Sequence, residues 1–379
     1  MPSADPAGEL KFRDPARARA LAEALSREVA ALGRPVQVMH VCGTHEQAIA
    51  RFGLRATFPR DLHVIMGPGC PVCVTDTPEV DQAVALAAMG CRVCTYGDML
   101  RLPGASKSLG DIQGEGGKVE VVYSVTQAVE IALRYPSEEV VFFASGFETT
   151  AVATAAVVLA GVPRNFSVLS AHKYVPAAMD VVAQLKDSHI EGYLAAGHAA
   201  TITGWEIFVP FARETGAPVV VAGFEPLDVL AALVKLVELV KERRPEVVNM
   251  YPRCVSRQGN RPALEMLWKV FETVSGDWRG IARVPSGNLD LRPEWAALDA
   301  RRRFRIDTSL VGGQAVNPLA SQCICGQIMQ ALKQPADCAL FGVECRPETP
   351  VGACMVSSEG ACKIWHTYGG APDLREVGR

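Results

Sequence analysis

One pattern constrains the fold most. Between residues 36 and 242, a short β-branched run, a loop containing glycine and a stretch with helical spacing recur in that order. The β-branched runs lie at 36–41, 62–66, 92–96, 119–123, 140–144, 166–170, 190–195 and 219–222. Short strands that alternate with helices indicate βαβ units and parallel sheets. Eight strands could also close a barrel, but breaks in the pattern at 101–118 and 135–140 favour two smaller open sheets.

The pattern therefore predicts an α/β fold with two open parallel-sheet domains. We expect the first at residues 36–136, which include the CGTHE and GPGCPVC loops, and the second at 137–244. The segment after residue 244 is rich in proline and then in cysteine, with one clear helical stretch near 262–274. Residues 1–35 and 245–379 are therefore expected to form a connector and a third, smaller Cys-rich domain.

Composition indicates an ordinary globular chain. Of 379 residues, 49% are apolar and 21% are charged, which is typical of globular domains. There are 38 Lys and Arg against 41 Asp and Glu, whereas nucleic-acid binding needs a basic surface. The longest apolar runs fall short of the roughly 20 residues of a membrane span, and no apolar signal-peptide core opens the sequence. The sequence predicts a cytoplasmic protein that binds neither nucleic acid nor membrane.

Twelve cysteines are the outlying feature of the composition. In a reducing cytosol, clustered cysteines bind metals or act in catalysis more often than they form a disulfide framework. Four thiolates suffice for a [4Fe–4S] cluster or for a structural zinc ion, and spacing alone does not separate these two. Six cysteines crowd the last part of the chain: Cys323, Cys325, Cys338, Cys345, Cys354 and Cys362.

The loops after the predicted strands carry residues of types that can bind ligands or take part in catalysis. Ligands of open parallel sheets bind outside the carboxyl ends of the strands, so a series of such loops predicts a lined cleft. For each Thr or Asp, the alternative is an ordinary helix N-cap. The candidate lining residues are Thr44, Asp98, Glu148, Thr149, Thr150, His198, Glu225 and Asp228.

Cys42 lies just past the first strand, at a predicted helix N-terminus, where free N–H groups favour thiolate. His45 and Glu46 follow one helical turn later, within reach of the sulfur. This arrangement suits a soft-metal ligand or a nucleophile, and the alternative is a small buried cysteine that packs as an apolar residue.

Cys70 and Cys73 form a C-x-x-C near a strand–helix junction, which is typical of a thioredoxin-like redox pair. With Cys91 and Cys94, the same pair also fits the spacing of a zinc ribbon. The second pair, however, lies in a predicted strand, where residues three apart point to opposite faces.

The motifs as a set resemble one family. CGTHE at 42–46, GPGCPVCVT at 67–75, YGDMLRLPG at 96–104, VVFFASGFETTA at 140–151, VVVAGFEPLDVL at 219–230 and VGACMVSSEGAC at 351–362 are similar to the HypD family of hydrogenase maturation proteins. The resemblance runs in the same order from about residue 36 to residue 365. It implies two α/β domains of similar topology and a third domain that holds a [4Fe–4S] cluster.

The resemblance also implies a function. Proteins of this family are scaffolds on which the Fe(CN)2CO group of [NiFe] hydrogenases is assembled, together with a HypC-like chaperone and a HypE-like cyanide donor. Cys42, Cys70 and Cys73 would be the iron-binding residues, with Cys70 and Cys73 forming a dithiol or disulfide in the same cleft as Cys42. The cluster ligands would be Cys323, Cys338, Cys345 and Cys362, with Cys325 as a rival for the first position.

Chemistry agrees with this implication. Low-spin Fe(II) that carries cyanide and carbon monoxide is soft and suits thiolate, and cyanide nitrogens could accept hydrogen bonds from glycine-rich loops and from His45. A cluster and a C-x-x-C pair offer a route for electrons. Two alternatives remain: a cluster-fed thiol–disulfide oxidoreductase that needs Cys70 and Cys73 but not Cys42, and a structural zinc protein.

Overall fold

The structure is a computed structural model that describes residues 11–184, 189–311 and 318–370. Each of the eight predicted runs forms a strand, and the α/β class with parallel-strand sheets is confirmed. The buried strands are continuous apolar runs, as is typical of parallel sheets covered on both faces. The strands are β1 (Val36–His40), β2 (Leu62–Met66), β3 (Arg92–Thr95), β4 (Val119–Val121), β5 (Val140–Gly146), β6 (Phe166–Lys173), β7 (Gly192–Ala196), β8 (Val219–Ala222), β9 (Val247–Asn249), β10 (Phe271–Trp278) and β11 (Ala282–Leu291).

The strands form two sheets that draw on alternating parts of the chain. Sheet A has the order β2-β1-β7-β8-β9, and sheet B has the order β10-β11-β6-β5-β3-β4. The predicted division of the strands near residue 136 is wrong, because β3 and β4 pair with β5 of sheet B and β1 pairs with β7. The expected segments 36–136 and 137–244 therefore do not coincide with the two sheets.

The segment after residue 244 also completes both sheets. Strand β9 pairs in parallel with β8 at the edge of sheet A. Strands β10 and β11 form an antiparallel hairpin, and β11 pairs antiparallel with β6. Sheet B is therefore mixed, and these residues are not the connector that the sequence analysis predicts.

Helices cover both sheets. The main ones are α1 (Pro15–Leu32), α2 (Gly43–Arg51), α3 (Pro71–Val74), α4 (Thr77–Ala88), α5 (Gly97–Leu100), α6 (Leu109–Gly114), α7 (Val125–Arg134), α8 (Glu148–Ala160), α9 (Val175–Ala183), α10 (Gly197–Thr203), α11 (Val209–Thr215), α12 (Pro226–Lys241) and α13 (Arg261–Val270).

Helix α1 belongs with sheet A and not with the Cys-rich region. The Asp14 side chain caps its first turn, and Gly33 ends it in a left-handed conformation. Leu25 and Val29 on this helix share one hydrophobic cluster with strand β1 and helix α12. Burial of this apolar face, and not its position in the chain, fixes where the helix packs.

The Cys-rich region lies against the loops that follow β1 and β2. A short helix that precedes it, α14 (Ala300–Arg303), packs on β6. The regular elements of the Cys-rich region itself are also short: α15 (Cys325–Met329), α16 (Ala353–Val356) and α17 (Ala361–Tyr368). Helix α17 packs on α2, and α16 packs on α3. The carboxyl ends of strands from both sheets and the Cys-rich region thus meet around Cys42. No helix in the described ranges is both long and apolar enough to cross a membrane.

Candidate functional site

Cys42 is the N-cap residue of α2, directly after the interior strand β1 of sheet A. Its side chain is only 1% exposed and packs with Ala196 and Ala199. The Sγ atom lies 3.9 Å from Nε2 of His198, which lies in the first turn of α10, directly after β7. Adjacent parallel strands therefore bring together a thiol and an imidazole that are far apart in sequence.

Burial dominates the electrostatics of this thiol. It raises the pKa of Cys42 to about 12, and the nearby charge of Glu359 acts in the same direction. Backbone N–H groups of Thr44 and His45 lower the pKa but do not compensate. The helix N-terminus thus does not by itself hold a thiolate, contrary to the sequence-based expectation, because burial of the sulfur outweighs these hydrogen bonds.

Two carboxyl groups approach the thiol and imidazole from other parts of the fold. Burial raises the pKa of Glu148 to about 7. Its Oε1 accepts a hydrogen bond from the Val175 amide at 2.9 Å, whereas Oε2 is buried without a partner in the described part of the chain. Burial lowers the pKa of His198, and the charges of Glu359 and Glu148 oppose that shift. Sheet B and the Cys-rich region thus each contribute one acid to the cleft.

Glu359 is a site residue that the sequence analysis does not single out. Thr44 Oγ1 donates to it at 3.4 Å, and the backbone of residue 359 lies so close to Gly43 that a Cβ there would come within 2.5 Å. Asp98 holds the same turn by accepting a hydrogen bond from the Ser358 amide at 2.8 Å. The only signal in the sequence is its place inside the SSEG segment between two cysteines.

His45 points away from the thiol. Its Nε2 donates to the carbonyls of Gly223 at 3.1 Å and Ala222 at 3.3 Å, and its ring packs on Phe224. Burial lowers the pKa of His45 to about 3, so the ring is neutral. A neutral imidazole has one N–H group, and the two carbonyls occupy it. His45 therefore has no hydrogen to donate to a cyanide nitrogen, which corrects the sequence-based proposal.

Glu46 belongs to a buried polar network behind the cleft. Its carboxylate accepts hydrogen bonds from His40 at 2.8 Å, from Arg55 at 2.7 Å and from Trp365 at 2.6 Å. Burial alone would raise the pKa of Glu46, but the charge of Arg55 and the hydrogen bonds hold it well below its usual range. The carboxylate thus connects helix α2, which begins at Cys42, to helix α17, which carries Trp365.

Cys70 and Cys73 are joined in a disulfide. Cys70 is the N-cap of α3, and its Sγ accepts a hydrogen bond from the Cys73 amide at 3.1 Å. Gly69 packs so closely on the backbone of Cys42 that a Cβ would collide with it. The two cysteine motifs are therefore neighbours through their backbones, while the disulfide itself packs in a different hydrophobic cluster from Cys42.

A zinc ribbon that includes Cys91 and Cys94 is contradicted. The disulfide occupies the first pair of sulfurs. Cys91, just before β3, and Cys94, within it, are both buried, but their side chains belong to separate hydrophobic clusters, as expected for residues three apart along an extended segment. These two cysteines are core residues.

Comparison with known proteins decides the family. The model of the family described as "HypD: Hydrogenase formation hypA family" matches residues 16–369. The chain is 42% identical to the hydrogenase maturation factor HypD of Rhizobium leguminosarum bv. viciae over 375 residues, which are 95% of this chain and 96% of the relative. This chain belongs to the HypD family. It is also 43% identical to HypD2 of Bradyrhizobium diazoefficiens and 40% identical to HypD of Azotobacter vinelandii, with the same shares covered.

Other residues expected to line the cleft of this HypD-family chain have local structural partners. Thr150 donates to the Phe147 carbonyl at the start of α8, and Thr149, in the same turn, is half-buried. Glu225 and Asp228 form the capping box of α12. Arginines neutralise both of these acids: Arg13 pairs with Glu225, and Arg253 pairs with Asp228.

Hydrogen bonding and charge connect five of the six cysteines of the HypD tail. The sulfurs of Cys323 and Cys325 lie 3.2 Å apart. Hydrogen bonding with Cys325 and Cys362 raises the pKa of Cys354, whereas hydrogen bonding with Cys325 and Cys354 lowers the pKa of Cys362 to about 6. Burial raises the pKa of Cys345, and charges on Cys325 and Cys323 add to that shift.

The donor set of the tail fits an iron–sulfur cluster in chemistry. It is made of thiols, and Cys362 lies in the first turn of α17, where N–H groups favour thiolate. Gly352 leaves the room that the sulfurs of Cys323 and Cys325 occupy. Cys338 is half-buried and packs against the same core. Among the described residues, no three His, Cys, Asp or Glu side chains already have metal-binding geometry, so thiols that now face one another would have to rotate toward a metal.

Proposed function

We propose that this HypD-family chain is a redox-active scaffold on which the Fe(CN)2CO group of a [NiFe] hydrogenase is assembled before transfer. The observation that supports the proposal most is the buried Cys42 thiol, which faces His198 in a cleft built from both sheets and the Cys-rich region. The curated relatives are named hydrogenase maturation factors, which agrees with a cargo of this kind.

Cys42 would act as the iron ligand. Soft Fe(II) prefers thiolate, and a bound cation offsets the burial that raises the pKa of the free thiol to about 12. The thiol therefore stays protonated until the iron arrives. The neutral ring of His198, 3.9 Å away, is placed to take up the released proton.

Glu148 would contribute a hydrogen bond to the cargo. With a pKa of about 7, its carboxyl group is protonated in a large fraction of molecules near neutral pH. The unpartnered Oε2 can then donate, and cyanide nitrogens are acceptors. This role replaces the one that the sequence analysis gives to His45.

The Cys-rich region would hold a [4Fe–4S] cluster, with Cys323, Cys338, Cys345 and Cys362 as ligands and Cys325 as the rival first ligand. Such a cluster supplies electrons when bound. Cys70 and Cys73 can bind iron only after their disulfide is reduced, because thiolates and not disulfides are the ligands. A HypC-like chaperone could contribute a second thiolate, and a HypE-like protein could supply the cyanide.

Infrared spectroscopy tests the proposal. The chain is co-expressed with its maturation partners, purified without oxygen and examined in the metal cyanide and carbonyl stretching region. We expect bands that disappear in Cys42→Ala and persist in the matched control Cys254→Ala, which changes an exposed cysteine. Iron and labile sulfide should remain in both variants. Bands that persist unchanged in Cys42→Ala would refute Cys42 as the iron ligand.

The disulfide favours a second candidate, an iron–sulfur-dependent thiol–disulfide oxidoreductase that acts on a protein disulfide. That activity would require Cys70 and Cys73 but not Cys42. A blank infrared spectrum, together with full reductase activity in Cys42→Ala and none in Cys70→Ser, would favour it. Zinc in place of iron and sulfide would instead indicate a structural metal site.

A further inference from the structure

Arg279 lies in the turn that joins β10 to β11, and its side chain is half-buried. Its Nε donates a hydrogen bond to the Thr75 carbonyl at 2.7 Å, and its Nη2 donates one to the Pro103 carbonyl at 2.8 Å. Both acceptors are neutral. Within the described ranges of the chain, no carboxylate forms an ion pair with this guanidinium.

The acids nearest to Arg279 have other partners. Glu79 pairs with Lys173 at 2.9 Å, and Asp81 accepts a hydrogen bond from a loop amide at 2.8 Å. Asp76 and Glu79 form the capping box of α4. The charges of these three acids raise the pKa of Arg279, but burial outweighs them and lowers it. Because a charge removed from water is stable only when it is paired, the guanidinium is suited to a counter-ion that is not part of the polypeptide.

The fold brings Arg279 to the first two cysteines of the Cys-rich region. Arg279, Cys323 and Cys325 line one cavity of about 730 Å³. Backbone packing fixes this approach, since a Cβ on Gly280 would lie 2.6 Å from Gly326, the residue after Cys325. Hydrogen bonding with Cys325 raises the pKa of Cys323, and the charge of Arg279 opposes that shift. Arg279 therefore favours negative charge on this side of the Cys-rich region.

Other charged side chains that line the cavity are less suitable as a counter-charge. Lys107 pairs with Glu115 at 2.6 Å. Arg101 is exposed and donates to a backbone carbonyl at 2.8 Å, and the acid Asp111 is also exposed. Salt screens such exposed charges. Arg279 is the cation that the structure fixes beside the sulfurs.

We propose that Arg279 is the counter-charge of a [4Fe–4S] cluster in the Cys-rich region and that it raises the reduction potential of this cluster. This role rests on the proposed function, in which the Cys-rich region holds that cluster. Four thiolates give such a cluster a net negative charge, and one-electron reduction makes it more negative. A fixed cation therefore stabilises the reduced form more than the oxidised form. Arg279 is not a ligand and acts through its charge.

A redox titration of the full chain tests this role. The chain is reconstituted with iron and sulfide without oxygen, titrated with dithionite, and followed by electron paramagnetic resonance. Arg279→Gln removes the charge, so the equilibrium constant for reduction should fall about tenfold, a shift of ~59 mV to more negative potential for a one-electron couple. Arg279→Lys keeps the charge and should remain close to the wild type. The matched control Arg283→Gln, which removes an exposed charge from the same hairpin, should leave the potential unchanged.

The stability gained on cluster binding gives a second readout, which separates charge from structure. Loss of the hydrogen bonds to Thr75 and Pro103 affects the cluster-free and the cluster-bound chain alike, so it cancels in the difference between them. The rise in melting temperature on reconstitution should therefore be smaller in Arg279→Gln than in the wild type and should be retained in Arg279→Lys.

The outcomes distinguish this role from the proposed function. A cluster that binds to Arg279→Lys but not to Arg279→Gln would show that binding itself needs the charge, which supports the role. A wild-type potential in Arg279→Gln, or equal losses in Arg279→Gln and Arg279→Lys, would overturn the role and leave the cluster assignment intact. A reconstituted wild-type chain without iron and labile sulfide would overturn both.

Discussion

Replacing Glu46 by glutamine tests whether this residue supports the cleft or takes part in its chemistry. Glutamine keeps the shape but removes the charge that Arg55 faces, and its NH2 group must meet a donor from either His40 or Trp365. Breaking a buried ion pair costs about 3–5 kcal/mol. Because the Arg55 side chain is 11% exposed, we expect the lower end, about 3 kcal/mol.

Hydrogen exchange of backbone amides measures this loss locally, without assuming that the whole chain unfolds in one step. A loss of about 3 kcal/mol corresponds to a roughly hundredfold faster exchange of the amides that this network protects. We expect it in peptides from α2 and α17, which Glu46 and Trp365 connect. Glu265→Gln, on the exposed face of α13, is the matched control and should leave these rates unchanged.

The same variant separates a supporting role from a chemical one. If Glu46 only supports the cleft, any iron–cyanide bands of Glu46→Gln should be weaker but lie at unchanged frequencies. Exchange rates equal to those of the wild type, combined with complete loss of the bands, would refute the reasoning and place Glu46 in the chemistry.

Two further predictions concern the cleft. Gly43→Ala should push α2 away from the Glu359 turn, since the new Cβ would lie 2.5 Å from Glu359. Thermal unfolding should show that the free energy of unfolding falls by about 1–3 kcal/mol. The control Gly114→Ala should cause no such loss, because its new Cβ meets nothing within 4 Å. Burial raises the pKa of Glu148 from 4.5 to about 7, so its contribution to stability is complete below pH 4.5 and is lost as the pH rises through 7. Glu148→Gln should remove up to about 3 kcal/mol of this pH dependence, and equal responses of both proteins between pH 5 and 8 would contradict the burial of this acid.

The sequence predicts local structure well, because a strand appears as a short β-branched run and the loop after it contains glycine. Each of the eight β-branched runs forms a strand, and the helix starts directly after β1 and β7 place Cys42 against His198. The assignment of strands to sheets could not be predicted in this way. The pairing of β1 with β7 depends on which apolar faces fit together, and the sequence of neither strand indicates the strand with which it pairs.

The remaining differences at the site have equally specific causes. Cys42 has an extended backbone at the N-cap, so the rule that residues four apart in a helix are neighbours does not bring Glu46 to its sulfur. Glu359 enters the cleft from the Cys-rich tail, more than 300 residues after Cys42. A single acid in a short turn gives no periodic signal that could reveal this approach.

The interleaving of the two sheets determines when the cleft can exist during synthesis of the chain. Until β7 emerges, β1 and β2 are an isolated parallel pair. The later pairing of β1 with β7 is slow, because it closes a loop of many residues. Sheet B is complete only after the hairpin of β10 and β11, at residues 271–291, has been synthesised. The newly made N-terminal part therefore has exposed strand edges but no cleft, and Cys42 gains its last neighbour, Glu359, only when almost the whole chain has been made. In a ribosome-bound or truncated chain the cleft around Cys42 is therefore incomplete, and any group that needs the whole cleft can bind only to a nearly finished protein.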